Sequence, residues 1–304
     1  MGTLPTLETH ISRPATPYRP MKERKYRIAS HLARRVLFWV AIGLIVLWSA
    51  GPFLWQINAS FLPDRLLTNP TPTWFPFPGG TLVHYVNVFE GKAFGRYMVN
   101  SIIVAGSATA LGMVIAAAAA YSLARLPMRG KGAVLGVILG ISMFPQIALV
   151  APLYMIFNQL HILNTYQGLS TAYIGLSLPL MVFIMYGYFR GIPKEMEEAA
   201  KIDGAGVFRI IWSVVTPLAL PGVVTAGLIA FMLNWQEFML ALAFTSTPDR
   251  QTIPVGIANF TGLFFIPWGD MAAASVAVTI PLVMLVLVFQ RRIIAGVTSG
   301  GVKG

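Results

Sequence analysis

A few groups in this sequence could do chemistry, and they stand out because their surroundings are so apolar. Asn234-Trp235-Gln236-Glu237-Phe238 sets a carboxylate inside the hydrophobic run 218–244, and Glu237 is the only acidic or basic residue in any of the six long apolar segments. A charge at bilayer depth costs ~2.5–3.5 kcal/mol on insertion scales, so it must face other helices or a watery cavity. Asn234 lies three residues earlier, on the same face of a continuous helix. Two uses fit this cluster. Asn234, Trp235, Gln236 and Glu237 could rim a solute pathway, where hydroxyls meet donors and acceptors beside an aromatic wall. Alternatively, they could hydrogen-bond neighbouring helices together.

The second group is charged and lies between two apolar segments: Pro193-Lys194-Glu195-Met196-Glu197-Glu198-Ala199-Ala200-Lys201-Ile202-Asp203-Gly204-Ala205. Pro193 suits a first helical position, and Glu195, Glu197 and Glu198 follow where the helix dipole favours acids. Glu197 and Lys201 have the i, i+4 spacing of a helical ion pair. Gly204 can end the helix in a left-handed turn. A second amphipathic run, 207–215, precedes Pro217, which fits the start of another helix. A short helix–turn–helix between two spans presents a surface. It suits a soluble partner, or the membrane interface alone.

Enzymatic motifs are missing. Lys92 and Lys131 follow glycine but precede Ala93 and Gly132, so there is no phosphate-binding loop with its Ser or Thr. No zinc-protease or nucleophile-elbow motif occurs. With no cysteine, and with His10, His31, His84 and His161 scattered, no metal-ligand spacing is present.

These groups must be positioned by membrane-spanning helices. The 304 residues are 56% hydrophobic and 11% charged, with a mean hydropathy of +0.69, which calls for lipid as solvent. About 20 apolar residues cross the hydrocarbon core. Six stretches qualify: 36–57, 98–123, 133–157, 169–189, 218–244 and 271–289. Several contain proline, which is tolerated where neighbours cover the freed carbonyls. Unbroken alanines at 116–120 let two helices approach closely. The expected class is an all-α, polytopic membrane protein with six transmembrane helices.

The basic residues orient the chain. Of the 22 Lys and Arg, 18 fall in residues 1–35, 124–132, 190–217 and 291–304; only Arg65, Lys92, Arg96 and Arg250 fall in the alternate segments. The positive-inside rule then puts both termini and the 190–217 loop in the cytoplasm, and 58–97 and 245–270 outside. The basic stretch 1–35 is too long for a signal-peptide head, so 36–57 reads as an uncleaved first span. The outer aromatics Phe260, Phe264, Phe265 and Trp268 suit either a partner site or interfacial anchors.

Glu198-Ala199-Ala200, three residues, Gly204, nine residues, then Val214, Thr216 and Pro217 resemble the EAA loop of ATP-binding-cassette importer permeases, E-A-A, G and I-x-L-P at the same spacing. Val214 replaces Ile and Thr216 replaces Leu. Further stretches are similar to the maltose-type carbohydrate permeases: His84 to Phe89, Asn100-Ser101, the Asn234–Phe238 segment, Gly269 to Ala274, and the tail from Gly296 to Gly304. The likeness covers about residues 84–304.

The resemblance implies a type I importer fold, with a five-helix core over 98–290 and a coupling loop at 190–217. It also implies the residues that couple to an ATPase, Glu198, Ala199, Ala200, Asp203, Gly204 and Pro217, and a tail (Gly300, Gly301, Lys303) that reaches the ATPases. The implied partners are a second, different permease subunit, two ATPase subunits and an extracytoplasmic sugar-binding protein, but no nucleic acid. ATP and Mg would be bound by the ATPases, leaving this chain no cofactor. The implied setting is a bacterial or archaeal plasma membrane, and the cargo an oligosaccharide, disaccharide or polyol. Another polar solute, such as a polyamine or glycerol phosphate, is the alternative. An ion-coupled carrier would usually show internal repeats and several intramembrane charges.

The topology has a direct check. Single cysteines at Met128 and Lys201 are expected to label only from the cytoplasmic side, and those at Gly80 and Arg250 only from outside. Outside labelling at position 201 would overturn the orientation.

Overall fold

A computed structural model describes residues 21–74, 79–262 and 265–301, which are helical and contain no strand. Residues 1–20, Pro76-Phe77-Pro78, Phe264 and Lys303 lie outside the described residues. Two contact units divide the chain, Met1–Leu54 and Trp55–Gly304.

The first unit holds most of α1 (Met21–Phe61), whose last residues, 55–61, belong to the second. Its segment Arg34–Phe61 has a mean hydropathy of 2.1 in its most apolar window. Leu37, Trp39, Leu44 and Trp48 are all exposed. Twenty-eight residues reach about 42 Å at the helical rise, ample for a bilayer core.

In the second unit, α2 (Asp64–Leu67), α3 (Val83–Val86) and a π turn (Asn87–Gly91) lead into the long α4 (Phe94–Arg125). Next come α5 (Lys131–Ser142), α6 (Gln146–Gln159) and α7 (Tyr166–Arg190). Then α8 (Glu195–Ile202), α9 (Val207–Ile210), a second π turn (Ile211–Val215) and α10 (Thr216–Leu218) form a connector. It is followed by α11 (Leu220–Trp235), α12 (Met239–Phe244), α13 (Ile253–Ala258) and α14 (Trp268–Gly301).

Small residues decide how the core packs. Ala116, Ala117 and Ala120 of α4 are fully buried against Met181, Val182, Met185 and Phe189 of α7. A Cβ on Gly112 would collide with the Met181 side chain, and one on Gly222 of α11 with the Tyr188 ring. Thus α4, α7 and α11 approach closely, as expected for helices that associate by van der Waals packing in lipid.

Among the described residues, four helices are long and apolar enough to span, and two bent pairs raise the number to six if each is one span. The structure therefore corrects the continuous third segment. α5 and α6 are bent by 88° at Met143–Pro145. Proline disfavours helical geometry in the residue before it, which ends α5. The fifth segment, 218–244, is also interrupted. The connector meets α11 at 88°, and α11 stops at Trp235 before α12 begins at Met239. At the other end of the chain, the backbone stays helical to Gly301, where glycine-rich composition suggests a flexible end. Extending an existing helix costs far less than nucleating one.

Two sequence stretches tied only to the resemblance turn out to be one cluster. His84 is 1% exposed; Nδ1 lies 2.8 Å from an Asp270 carboxylate oxygen and Nε2 2.9 Å from the Leu62 carbonyl. Lys92 pairs with the other Asp270 oxygen at 3.0 Å, and the Asn87 amide donates to the first at 3.4 Å. A Cβ on Gly269 would strike the His84 ring. Asn100-Ser101 has a similar task. The Asn100 amide donates to the carbonyls of Asp249 and Gln251, and Ser101 accepts the Ile253 amide, pinning the segment before α13 onto α4.

Asp270→Ala would leave His84 and Lys92 without their shared carboxylate. The expected cost is about 3 kcal/mol, as for a broken buried pair. It is read as earlier thermal unfolding of the detergent-purified protein; an unchanged transition would refute the cluster's stabilising role.

Candidate functional site

Two places stand out, at opposite ends of a path through α4. The first is the connector. α8 starts at Glu195 with Lys194 as its cap, so Pro193 sits just ahead of the helix. At its end the Gly204 amide bonds the Lys201 carbonyl, and the Ala205 amide bonds the Ala200 carbonyl. Gly204 has φ +78°. This is a Schellman ending, and glycine is needed there because a side chain strains that backbone region.

Glu198, Ala199, Asp203, Gly204 and Pro217 are exposed, and Ala200 is half-buried against the core. Beside them, large apolar side chains also face outward: Met196, Ile202 (87% exposed), Val207 and Phe208 (77%). Glu197 is different. It is 4% exposed. Instead of the expected Lys201, it pairs with Arg125 at the end of α4, through Arg125 Nε and Glu197 Oε1. Tyr121 donates to Glu197 Oε2 at 3.0 Å, and Arg125 Nη2 donates to the Ile192 carbonyl at 2.8 Å. A desolvated carboxylate takes two strong donors from α4 in preference to an exposed lysine on its own helix.

The second place is a cavity of about 830 Å³ where the helix breaks meet. Its lining is mainly aliphatic, with Ser142, Gln146, Thr171, Asn234, Gln236 and Glu237 as polar groups and Phe144, Phe157 and Phe238 as aromatic ones. Glu237 does not continue the helix that carries Asn234, which corrects the shared helical face. Its two carboxylate oxygens accept the Leu240 and Ala241 amides at 2.8 and 3.1 Å, capping α12. Gln146, the first residue of α6, donates to Glu237 at 2.7 Å. The Asn234 amide donates to Thr109 and Ser177 at 3.3 and 3.4 Å, tying the end of α11 to α4 and α7. Trp235 lies outside the lining. It is 2% exposed and stacks on Phe231.

Residues 108–299 match the family of the binding-protein-dependent transport system inner membrane component. The chain belongs to that family. Trehalose transport system permease protein SugB of Mycobacterium tuberculosis is 40% identical, over 90% of this chain and 99% of the relative. Sulfoquinovosyl glycerol transport system permease protein SmoH of Agrobacterium fabrum is 37% identical, over 91% and 97%. The fold is that of a chain in the crystal structure of a bacterial ABC transporter involved in the import of the acidic polysaccharide alginate. The TM-score is 0.71 at 19% identity, covering 91% of this chain and 99% of that one.

In this permease the structure brings Asn234, Gln236 and Glu237 together at the cavity and leaves Trp235 in the core. Gly300 and Gly301 end α14, while Lys303 is outside the described residues. Sequence reasoning missed Gln146, Thr171 and Arg125. Gln146 had a signal: a polar amide directly after Pro145 in an apolar run. Arg125 had none beyond its place at a helix end. Among the described residues no cluster of metal-ligating side chains is found.

Because Glu237 is a cap as well as a lining group, its substitutions should differ in stability. Glu237→Ala is expected to cost about 1–3 kcal/mol by orphaning buried amides. Glu237→Gln keeps an acceptor and should cost less. Thermal unfolding of both purified variants tests this; equal, unchanged transitions would exclude the capping role.

Proposed function

We propose that this permease is one of two membrane subunits of an ATP-driven importer that takes a carbohydrate from an extracytoplasmic binding protein. The observation that carries this reading is the agreement of two features: relatives at 37–40% identity named for glycoside transport, and a cavity whose polar groups sit among aliphatic and aromatic walls. Such a lining suits a sugar, whose hydroxyls need donors and acceptors while its ring faces want apolar contact. Asn234, Gln236 and Glu237 supply those polar groups. An oligosaccharide, disaccharide or polyol is the expected cargo.

ATP and Mg are bound by a pair of separate ATPase subunits. These dock on the exposed apolar edge of α8 and α9, with Glu198, Ala199, Ala200, Asp203 and Gly204 at the contact and Pro217 fixing the exit of the connector. The loop lies in the cytoplasm with both termini, as the basic residues argue. A second permease chain completes the pathway. When the ATPases close on ATP they move α8, and the spans exchange inward for outward access. The exchange requires that ATP favour one state over the other.

Uptake in a strain lacking this chain tests the reading. Labelled mono-, di- and trisaccharides, a polyol and a polyamine are compared with and without the wild-type chain. Wild type should restore uptake of one carbohydrate class. Gly204→Val, which strains the φ +78° turn, should insert normally yet restore none. Restored uptake of the polyamine alone would overturn the cargo, and normal uptake with Gly204→Val would overturn the coupling role.

A further inference from the structure

α8 carries three acids in its first turn, and only Glu197 is turned inward. The position is costly for a carboxylate unless it is paired and hydrogen-bonded. Its partners all lie on the last turns of one helix. Tyr121 and Arg125 are spaced i, i+4 on α4, so they share a face, and each binds one Glu197 oxygen. Arg125 also reaches the Ile192 carbonyl at 2.8 Å. One guanidinium therefore holds the entrance to α8 and, through Glu197, its first turn.

The geometry matters because of what otherwise restrains α8. Its covalent link to α7 is the short stretch Gly191–Lys194, containing a glycine and a proline. Its far end joins α9 through 203–206, which holds Gly204 and Gly206, and its apolar contact with the core runs through small side chains, Ala200 and, just past the helix, Ala205. Alone, these would leave α8 free to pivot on that link or slide over the core. The charge-assisted bonds remove that freedom, since they are directional and lose most of their strength when displaced. α4 then runs back along α7 through Ala120, Ala117 and Ala116, and its Thr109 accepts the Asn234 amide beside the cavity. From residue 125 to residue 109 is about 24 Å at the helical rise.

We propose that Glu197, Arg125 and Tyr121 form a buried bolt that makes α8 and α4 move as one body, so that displacement of α8 is delivered to the cavity through α4. The three are positioning residues. The inference rests on the reading of α8 as the ATPase-docking element. A bolt of this kind predicts a particular defect: the ATPases still bind and still hydrolyse ATP, but less of the motion reaches the spans.

The test uses the whole complex, reconstituted in proteoliposomes with its ATPase subunits, partner permease and binding protein. Solute uptake and ATP hydrolysis are measured together, per assembled complex. Glu197→Gln removes the charge with little change of shape. Arg125→Met combined with Glu197→Met replaces the ion pair by apolar bulk, which buried sites tolerate. Tyr121→Phe deletes a single hydroxyl and protects the test if the others fail to assemble.

Uptake per ATP should fall about tenfold in Glu197→Gln and the double variant, and about threefold in Tyr121→Phe, with ATPase binding unchanged. Reversal of the pair, Arg125→Glu with Glu197→Arg, should recover part of the ratio lost by either single change. Gly204→Val is run in parallel. If the bolt variants keep a wild-type uptake-to-ATP ratio while Gly204→Val is uncoupled, the bolt is refuted and the docking role stands. If Gly204→Val is also normal, the docking reading itself fails.

Discussion

A helix that stops inside a bilayer leaves up to four amides without partners, and hydrocarbon offers none. This constraint shapes the second unit of the permease. Its spans are interrupted at Met143–Pro145 and at Gln236–Phe238, and the two interruptions face the same cavity. At the second, Glu237 satisfies two amides of α12 and accepts the Gln146 amide from the helix that restarts after the first. One carboxylate thus satisfies backbone amides at the second break and, through the Gln146 side chain, ties that break to the helix that restarts after the first. The cavity lies where the broken helices meet, with polar groups from both interruptions in its lining.

The alternatives set out for Glu237, lining group or helix-to-helix hydrogen bond, are therefore not exclusive in geometry. Its backbone and side chain are held by α12, Gln146 and the Tyr173 hydroxyl, which donates to its carbonyl at 3.3 Å, while the residue still borders the cavity. A group fixed in this way presents its oxygens in a set direction, which is what discrimination among polar solutes needs.

α4 gives the unit its length scale. It begins two residues after Lys92, a member of the His84–Asp270 cluster, and ends at Arg125 in the Glu197 pair. Thirty-two residues separate its ends by about 48 Å. Buried polar clusters near the two ends of one helix fix its register against the surrounding segments, while the alanine seam between them allows close packing without specifying a partner. Polar pairing and apolar packing divide the work along the same element.

The sequence alone determined much of this protein. The spans are legible because hydropathy is a sum over neighbouring residues, and the Gly204 turn because a left-handed helix end depends on one glycine and the residues just before it. The spacing from Glu198 to Pro217 is equally local, and it identified the family. Tertiary structure decided the rest. Glu197 finds Arg125 across 72 residues, Gln146 finds Glu237 across 91, and His84 finds Asp270 across 186. No local periodicity encodes such pairs. The same holds for the breaks. Proline is tolerated inside α6 at Pro152, α7 at Pro179 and α14 at Pro281, yet the chain turns at Pro145. A proline removes one hydrogen bond wherever it stands. Whether the helix bends there depends on which neighbour supplies the missing partner, and that is settled only when the helices have packed.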